Sequence, residues 1–466
     1  MISLSLPAAH GVLIGREDLP VPEWLFAWGA SLVLIVSFVV LSTAWRSQRF
    51  DRYNWRPVPR PLSLVVTSRV RELLAGAVGV FLLGIVVWSG LEGTDAANLN
   101  FAATFVFVTF WLGTVALSVA FGDVFRAFNP WRAIARAWVW AAGLAGRRPS
   151  APLEYPERLG RWPAVAGIVA FVWFELVYGA GAIQTTGVTP DSVAIASITY
   201  TVYTLGGMAL FGIDRWLARG EAFSVYFEMF SRLSAFEVRD RRLGIRRILS
   251  ATTTWAVVPG SLALVLATIG NTTFDGAQEG FLGGAIDRFA IGLDNLGLDA
   301  LWFVRLSETL FFAVTLAAIA LLYWIGVRGM RTVRGSPDLR DLATGFAHTL
   351  IPIGLAYLTA HYFSLVFFGE QAQFTYLLSD PLGDGSDLLG TASAGIDYSL
   401  LSATAIWYIQ VGALIVGHVT GLVLAHDRAI GVYGDSRAAS ISQRWMLLVM
   451  VAFTCLGLFL LSQTNA

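Results

Sequence analysis

Ten stretches of mostly apolar residues, joined by loops whose charge alternates in kind, constrain this chain more than any other feature. A bilayer-crossing helix needs about 20 such residues. The stretches fall at approximately 24–44, 73–91, 101–122, 162–181, 193–213, 249–270, 301–327, 342–369, 398–425 and 445–461. The sixth is interrupted by Thr252–Thr254 and Pro259, which is tolerated where neighbouring helices satisfy the freed backbone groups. Alternate loops at 45–72, 123–161, 214–248, 328–341 and 426–444 hold 7, 7, 8, 4 and 3 arginines, 29 of the 32 basic residues. The opposite loops carry acids: Glu92, Asp95, Asp191, those from Asp275 to Asp299, and those from Glu370 to Asp397. By the positive-inside rule the arginine loops are cytoplasmic. The expected fold class is therefore all-α: a polytopic transmembrane helical bundle of about ten spans in the plasma membrane, N-out and C-out. Residues 24–466 form its single domain, after an extracytoplasmic leader 1–23 that lacks a basic n-region.

Composition narrows the function classes. Only 14% of residues are charged and 56% are hydrophobic, against about 25% charged in soluble domains. The net charge of zero argues against a nucleic-acid partner, since phosphate binding needs a basic surface, and leaves the lipid bilayer as the evident one. Every basic residue is arginine, so Walker-type and Schiff-base lysine chemistry are excluded. Cys455 is alone, so no disulfide framework forms within the chain. No GxSxG, HExxH, HxH or P-loop pattern is present.

Two arginine-side loops contain more than linker. In 123–145, Pro130 suits a first helical turn; Trp131, Ile134, Ala135 and Trp138 would share one face, giving an amphipathic helix on the anionic inner leaflet. Residues 221–238 read similarly, and packing under the bundle is the alternative for both. No internal repeat is visible, so the inverted-repeat signature of many transporters is missing.

Ionisable groups at bilayer depth are costly and informative. They are Glu175 in span 4, Arg305 and Glu308 in span 7, His348 and His361 in span 8 and His418 in span 9, with His426 at the inner boundary. At a rise of about 1.5 Å per residue, His348 and His418 lie roughly 10 and 13 Å from the cytoplasmic boundary. His361 and Glu308 lie roughly 13 Å below the outer one, with Glu175 also in the outer half. Glu308, His361 and Glu175 are thus candidate catalytic residues and metal ligands, an N/O set suited to a divalent transition metal (Zn, Mn, Fe or Cu) that would activate water, or else a proton relay. His348 and His418 are candidate cofactor ligands, for haem or a metal. Gly417 and Gly421 would let another helix approach His418 closely. The plainer alternatives are an Arg305–Glu308 intrahelical pair and histidines bonded to a backbone carbonyl or to Tyr357 or Tyr408. SDPLGDGSD, 379–387, reads as a solvated Gly-Asp turn rather than a cation loop, and Asn271-Thr272-Thr273 as an outer-side sequon.

Several segments resemble integral membrane proteins named fenitrothion hydrolase-like: AAHGVLIGREDLPVPEWLFAWGASLVLIVSFVV (8–40), FAHTLIPIGLAYLTAHYFSLVFFGEQ (346–371), SDPLGDGSDLLGTA, and WYIQVGALIVGHVTGLVLAHDRA (407–429). Together these hold all five histidines: His10, His348, His361, His418 and His426. The resemblance covers most of the chain and implies hydrolysis of an aryl phosphotriester, a small lipophilic substrate. Relatives carry a longer leader ending before a His-Gly pair, where a terminal histidine would bind copper; here nine residues precede His10. Three functions follow as expectations: a metal-assisted hydrolase of lipophilic esters, a proton-coupled transporter, or a haem- or copper-binding protein of electron transfer or metal handling.

Overall fold

The structure, a computed structural model, describes residues 23–50, 54–147, 150–179, 188–294 and 300–464. The leader to residue 22, with His10, lies outside the described residues. The fold is an all-α bundle. Among the described residues eight helices are long and apolar enough to cross a membrane, so the chain is a membrane-embedded protein.

A helix occupies each of the ten expected segments. They are α1 (Glu23–Ala44), α2 (Arg69–Glu92), α3 (Phe101–Phe121), α5 (Trp162–Tyr178), α6 (Pro190–Phe211), α8 (Ser261–Glu279), α9 (Ala300–Met330), α10 (Ile351–Phe374), α11 (Ala403–Tyr433) and α12 (Ser436–Thr464). The arginine loops hold further helices, among them α4 (Pro130–Leu144) and α7 (Ala222–Ser231). The two bundle helices outside the eight are α5, which is short, and α8, which is polar. Each start has a local cause. Asn129 caps α4 by accepting from the Arg132 N–H with Pro130 in the first turn, where its missing donor costs nothing. Asn100 caps α3 in the same way, through the Ala102 N–H.

The sixth segment is displaced from its expected position. Thr252–Thr254 form one 3-10 turn, the chain continues through Pro259, and Gly260 takes a left-handed conformation (φ 86°) before α8 begins at Ser261. The helix then runs on to Glu279, through residues expected in an outer loop. The Asn271-Thr272-Thr273 sequon is accordingly buried inside a helix and presents no acceptor surface.

Two groups of helices meet at the centre. On one side α1, α9 and α11 pack around α12, with α10 against α11; on the other, α2, α3, α4 and α6 pack together with α5 and α7, and α8 lies between the groups, against α5, α9, α10 and α12. Helix α7 is wholly internal: Phe223, Tyr226, Phe227, Met229 and Phe230 are all buried, so packing under the bundle is the outcome for 221–231. Helix α4 is the amphipathic one. Its Trp131 is buried, while Trp138 and Trp140 are 69% and 68% exposed.

The five arginine loops gather at one end. Trp55–Pro57 (β1), Phe236–Arg239 (β2) and Arg242–Arg246 (β3) form a small antiparallel sheet in the order β1-β3-β2. Asp427 accepts from Trp45 Nε1 (2.9 Å) and from the Arg49 and Phe50 N–H groups (2.6 and 3.1 Å). Arg161 donates to the Ala256 carbonyl and Tyr433 to that of Met330. At the other end the Thr94 and Phe101 N–H groups donate to Leu382 and Pro381 carbonyls. These contacts tie the arginine loops to one another and the 94–101 segment to the 381–382 turn.

Candidate functional site

The central interface holds a buried polar cluster built around Asp275, a carboxylate that the sequence reading places outside the spans. Asp275 lies one turn before the end of α8 and is fully buried. Its Oδ2 is 2.9 Å from His361 Nε2 and accepts from the Tyr362 hydroxyl at 2.6 Å; its Oδ1 accepts from Gln278 Nε2 at 3.1 Å. His361 and Tyr362 are consecutive on α10, about 100° apart around the helix, so the two side chains grip the carboxylate from either side. A slender opening persists at the imidazole, whose side chain is 11% exposed while that of Asp275 is 0% exposed.

Both neighbouring spans change their winding where they face this cluster. In α5, Phe174–Tyr178 is a π-helix carrying Glu175, which lies within electrostatic reach of Asp275 and Tyr362. Its Oε2 is buried with no protein partner among the described residues. In α3, Phe105–Gly113 is also a π-helix, and its Trp111 meets Tyr362 edge-on at 5.3 Å between ring centroids. Single π turns inside α-helices recur at functional sites because they swing a side chain out of the α register. From α7, Tyr226 brings its hydroxyl beside Trp111 and Thr268. Below Asp275, α8 continues a buried polar stripe through Thr272, Asn271 and Thr268. The two threonine hydroxyls return to their own helix, whereas Asn271 Oδ1 has no partner.

The expected residues are only partly gathered. His361 bonds Asp275 and Glu175 lies within electrostatic reach of it, whereas the charged neighbours of Glu308 are Asp287 and Arg305. Among the described residues no three His, Cys, Asp or Glu side chains are grouped so as to hold a metal, so Glu175, Glu308 and His361 do not make a ligand set. Arg305 stays within electrostatic reach of Glu308 but donates to the Tyr178 carbonyl at 3.1 Å, its guanidinium lying 4.3 Å from the Tyr178 ring centre.

His418 is fully buried; its Nδ1 is 2.8 Å from the Leu414 carbonyl oxygen, and Tyr357 packs near its ring. The GxxxG expectation holds here. A Cβ on Gly417 would fall 2.2 Å from Ala356 Cβ, and one on Gly421 3.0 Å from the Thr349 carbonyl oxygen. Helices α10 and α11 therefore touch at backbone distance beside His418, leaving no porphyrin-wide gap between them there. His348 is separate, its Nε2 unpartnered in a cavity of about 310 Å³ at the arginine end with Asp341, Asp427 and Arg428. His426 Nε2 lies 3.3 Å from the Trp45 carbonyl oxygen.

The turn at 379–387 is organised by its own backbone. Asp380 accepts from the Asp384 and Gly385 N–H groups and the Ser386 hydroxyl. Partial burial pushes its carboxyl upward, but those donors outweigh it and hold the group below the usual carboxylate range. This is a solvated Gly-Asp turn, as its composition suggested.

Asp275 escaped sequence reading because the sixth span was ended at Gly270, which put it in a loop. Thr268, Asn271, Thr272 and Asp275 recur at helical spacing, the one signal that would have kept them on a single buried face. Comparison with family models, with curated proteins and with solved structures finds no match for this chain.

Proposed function

We propose that this chain is a proton-coupled carrier whose proton-binding site is the Asp275–His361–Tyr362–Glu175 cluster. The observation that carries the reading is one buried carboxylate bonded to both an imidazole and a phenol, with a second, unpartnered carboxyl oxygen in electrostatic reach. Ionisable side chains inside a membrane protein mark proton or solute pathways because their burial costs several kcal/mol unless function retains them. His361 and Asp275 exchange one proton between them; Tyr362 holds the carboxylate in place; Glu175 offers the next acceptor. The lone polar stripe of α8 leads from this cluster toward the arginine end. With that end cytoplasmic, as the positive-inside rule has it, the protein lies N-out and C-out in the plasma membrane and the cluster sits toward the outside.

Proteoliposomes enclosing a pH-sensitive dye test this. The wild-type chain should move protons under an imposed gradient, Asp275→Asn and Glu175→Gln should abolish the movement, and Glu308→Gln should leave it intact. Undiminished flux through folded Asp275→Asn protein would overturn the reading.

A second reading is favoured by the same Asp275–His361 bond, which orients an imidazole as a general base is oriented. Hydrolysis of a lipophilic aryl phosphotriester, the activity implied by the resemblance, would then proceed through His361 and water. Gradient-independent release of the aryl alcohol, lost in His361→Gln, distinguishes it.

A further inference from the structure

A large cavity lies apart from the polar cluster and shares no lining residue with it. It opens at the arginine end, among the N-terminus of α2, the end of α3, α4, the end of α7 and the β2–β3 hairpin, and measures about 1220 Å³. Eight arginines line it against five carboxylates. The pairing inside it is uneven. Glu72 serves both Arg132 and Arg136, Glu228 takes Arg232 and Glu237 takes Arg246. Arg69 and Arg71 make no ion pair with any described residue, and the Nε atoms of Arg71 and Arg132 are buried without a partner. Arg132 is itself 6% exposed, so one unmet donor is fixed inside the wall. Burial and the neighbouring Arg136 also lower the affinity of Arg132 for its proton, the electrostatic mark of crowded positive charge.

The rim is of opposite character. Leu73, Phe121 and Trp140 border the cavity and are 74%, 61% and 68% exposed. A cationic hollow with an apolar lip on a membrane-embedded bundle matches an amphiphile: an anionic head inside and hydrocarbon outside. Orthophosphate alone would leave most of the volume, and the whole lip, unused.

We propose that this cavity binds the phosphate headgroup of an anionic phospholipid, with Arg71, Arg126 and Arg132 as its donors and Leu73, Phe121 and Trp140 against the acyl chains. The phosphodiester takes the unmet guanidinium donors, for which arginine's planar fork is suited.

Delipidated protein in a nonionic detergent, titrated with phosphatidylglycerol or phosphatidylcholine and read by native mass spectrometry, tests the proposal. Phosphatidylglycerol should bind about tenfold or more tightly than phosphatidylcholine, and the R71Q/R126Q double variant should erase that preference. R71K/R126K, which keeps the charge, and R331Q/R334Q, which removes two exposed arginines elsewhere, should both retain it. Equal binding of the two lipids, a preference surviving in R71Q/R126Q, or one lost in R71K/R126K would overturn the proposal. So would full displacement of phosphatidylglycerol by millimolar inorganic phosphate, which would make the site one for a soluble anion.

Discussion

The contact between Asp275 and His361 can be measured as an energy. Neutral interhelical hydrogen bonds within bilayers average only about 0.6 kcal/mol, with a ceiling near 1.7, while charge-assisted bonds are roughly twice as strong as neutral ones. The 2.9 Å Asp275–His361 bond is fully enclosed on the carboxylate side, so its coupling should be about 1–2 kcal/mol. Asp275→Asn and His361→Gln keep size and some bonding capacity, so each alone should cost about 1–3 kcal/mol. Asp275→Ala strands His361, Tyr362 and Gln278 together and should cost more, about 3–5 kcal/mol. Reversible unfolding in mixed micelles with a rising fraction of sodium dodecyl sulfate, followed by tryptophan fluorescence, gives the four corners of the cycle. Additivity within about 0.5 kcal/mol would refute direct contact, and with it the central place given to Asp275.

Two further outcomes follow from local geometry. Gly417→Ala should destabilise by about 1–3 kcal/mol through overpacking, because its new Cβ meets Ala356 and the Pro352 carbonyl oxygen; Gly412→Ala, on the same helix with open space around it, should be neutral or stabilising by about 0.5–1 kcal/mol, and the same unfolding assay compares them. The Asp380 carboxyl is held below its unfolded value, so the order it gives the 379–387 turn is present above about pH 4 and is lost as pH falls through the depressed folded value. Amide exchange at Asp384 and Gly385, corrected for intrinsic rates, should accelerate on acidification in the native chain and be fast at every pH in Asp380→Asn.

Most of the bundle was legible because a bilayer imposes one rule on every span. Apolar length located nine of the ten bundle helices, since that signal is carried by many residues at once. The sixth failed for a physical reason. Helix α8 lies among α5, α9, α10 and α12, so it meets protein rather than lipid and its lower half need not be apolar. A hydropathy window sees Asn271 to Asp275 as loop, although tertiary packing buries those residues on a helix. Depth matching likewise placed Glu308 level with His361, but depth says nothing of azimuth, and Glu308 faces Asp287 and Arg305 instead. The π segments at 105–113 and 174–178 have no distinct composition, because their winding is set by what they pack against.

The Asp427 clamp ties residues 45–50 to α11, and α1 packs on α11 and α12. Helix α1 therefore finds its partners in α11 and α12, far later in the sequence. Until residue 427 emerges, the Trp45, Arg49 and Phe50 donors have no acceptor, and one flank of α1 faces lipid or chaperone. Such long-range closure leaves the nascent chain vulnerable for as long as the intervening residues are being made. Truncations that remove the C-terminal hairpin should thus be degraded as orphans rather than accumulate as smaller bundles.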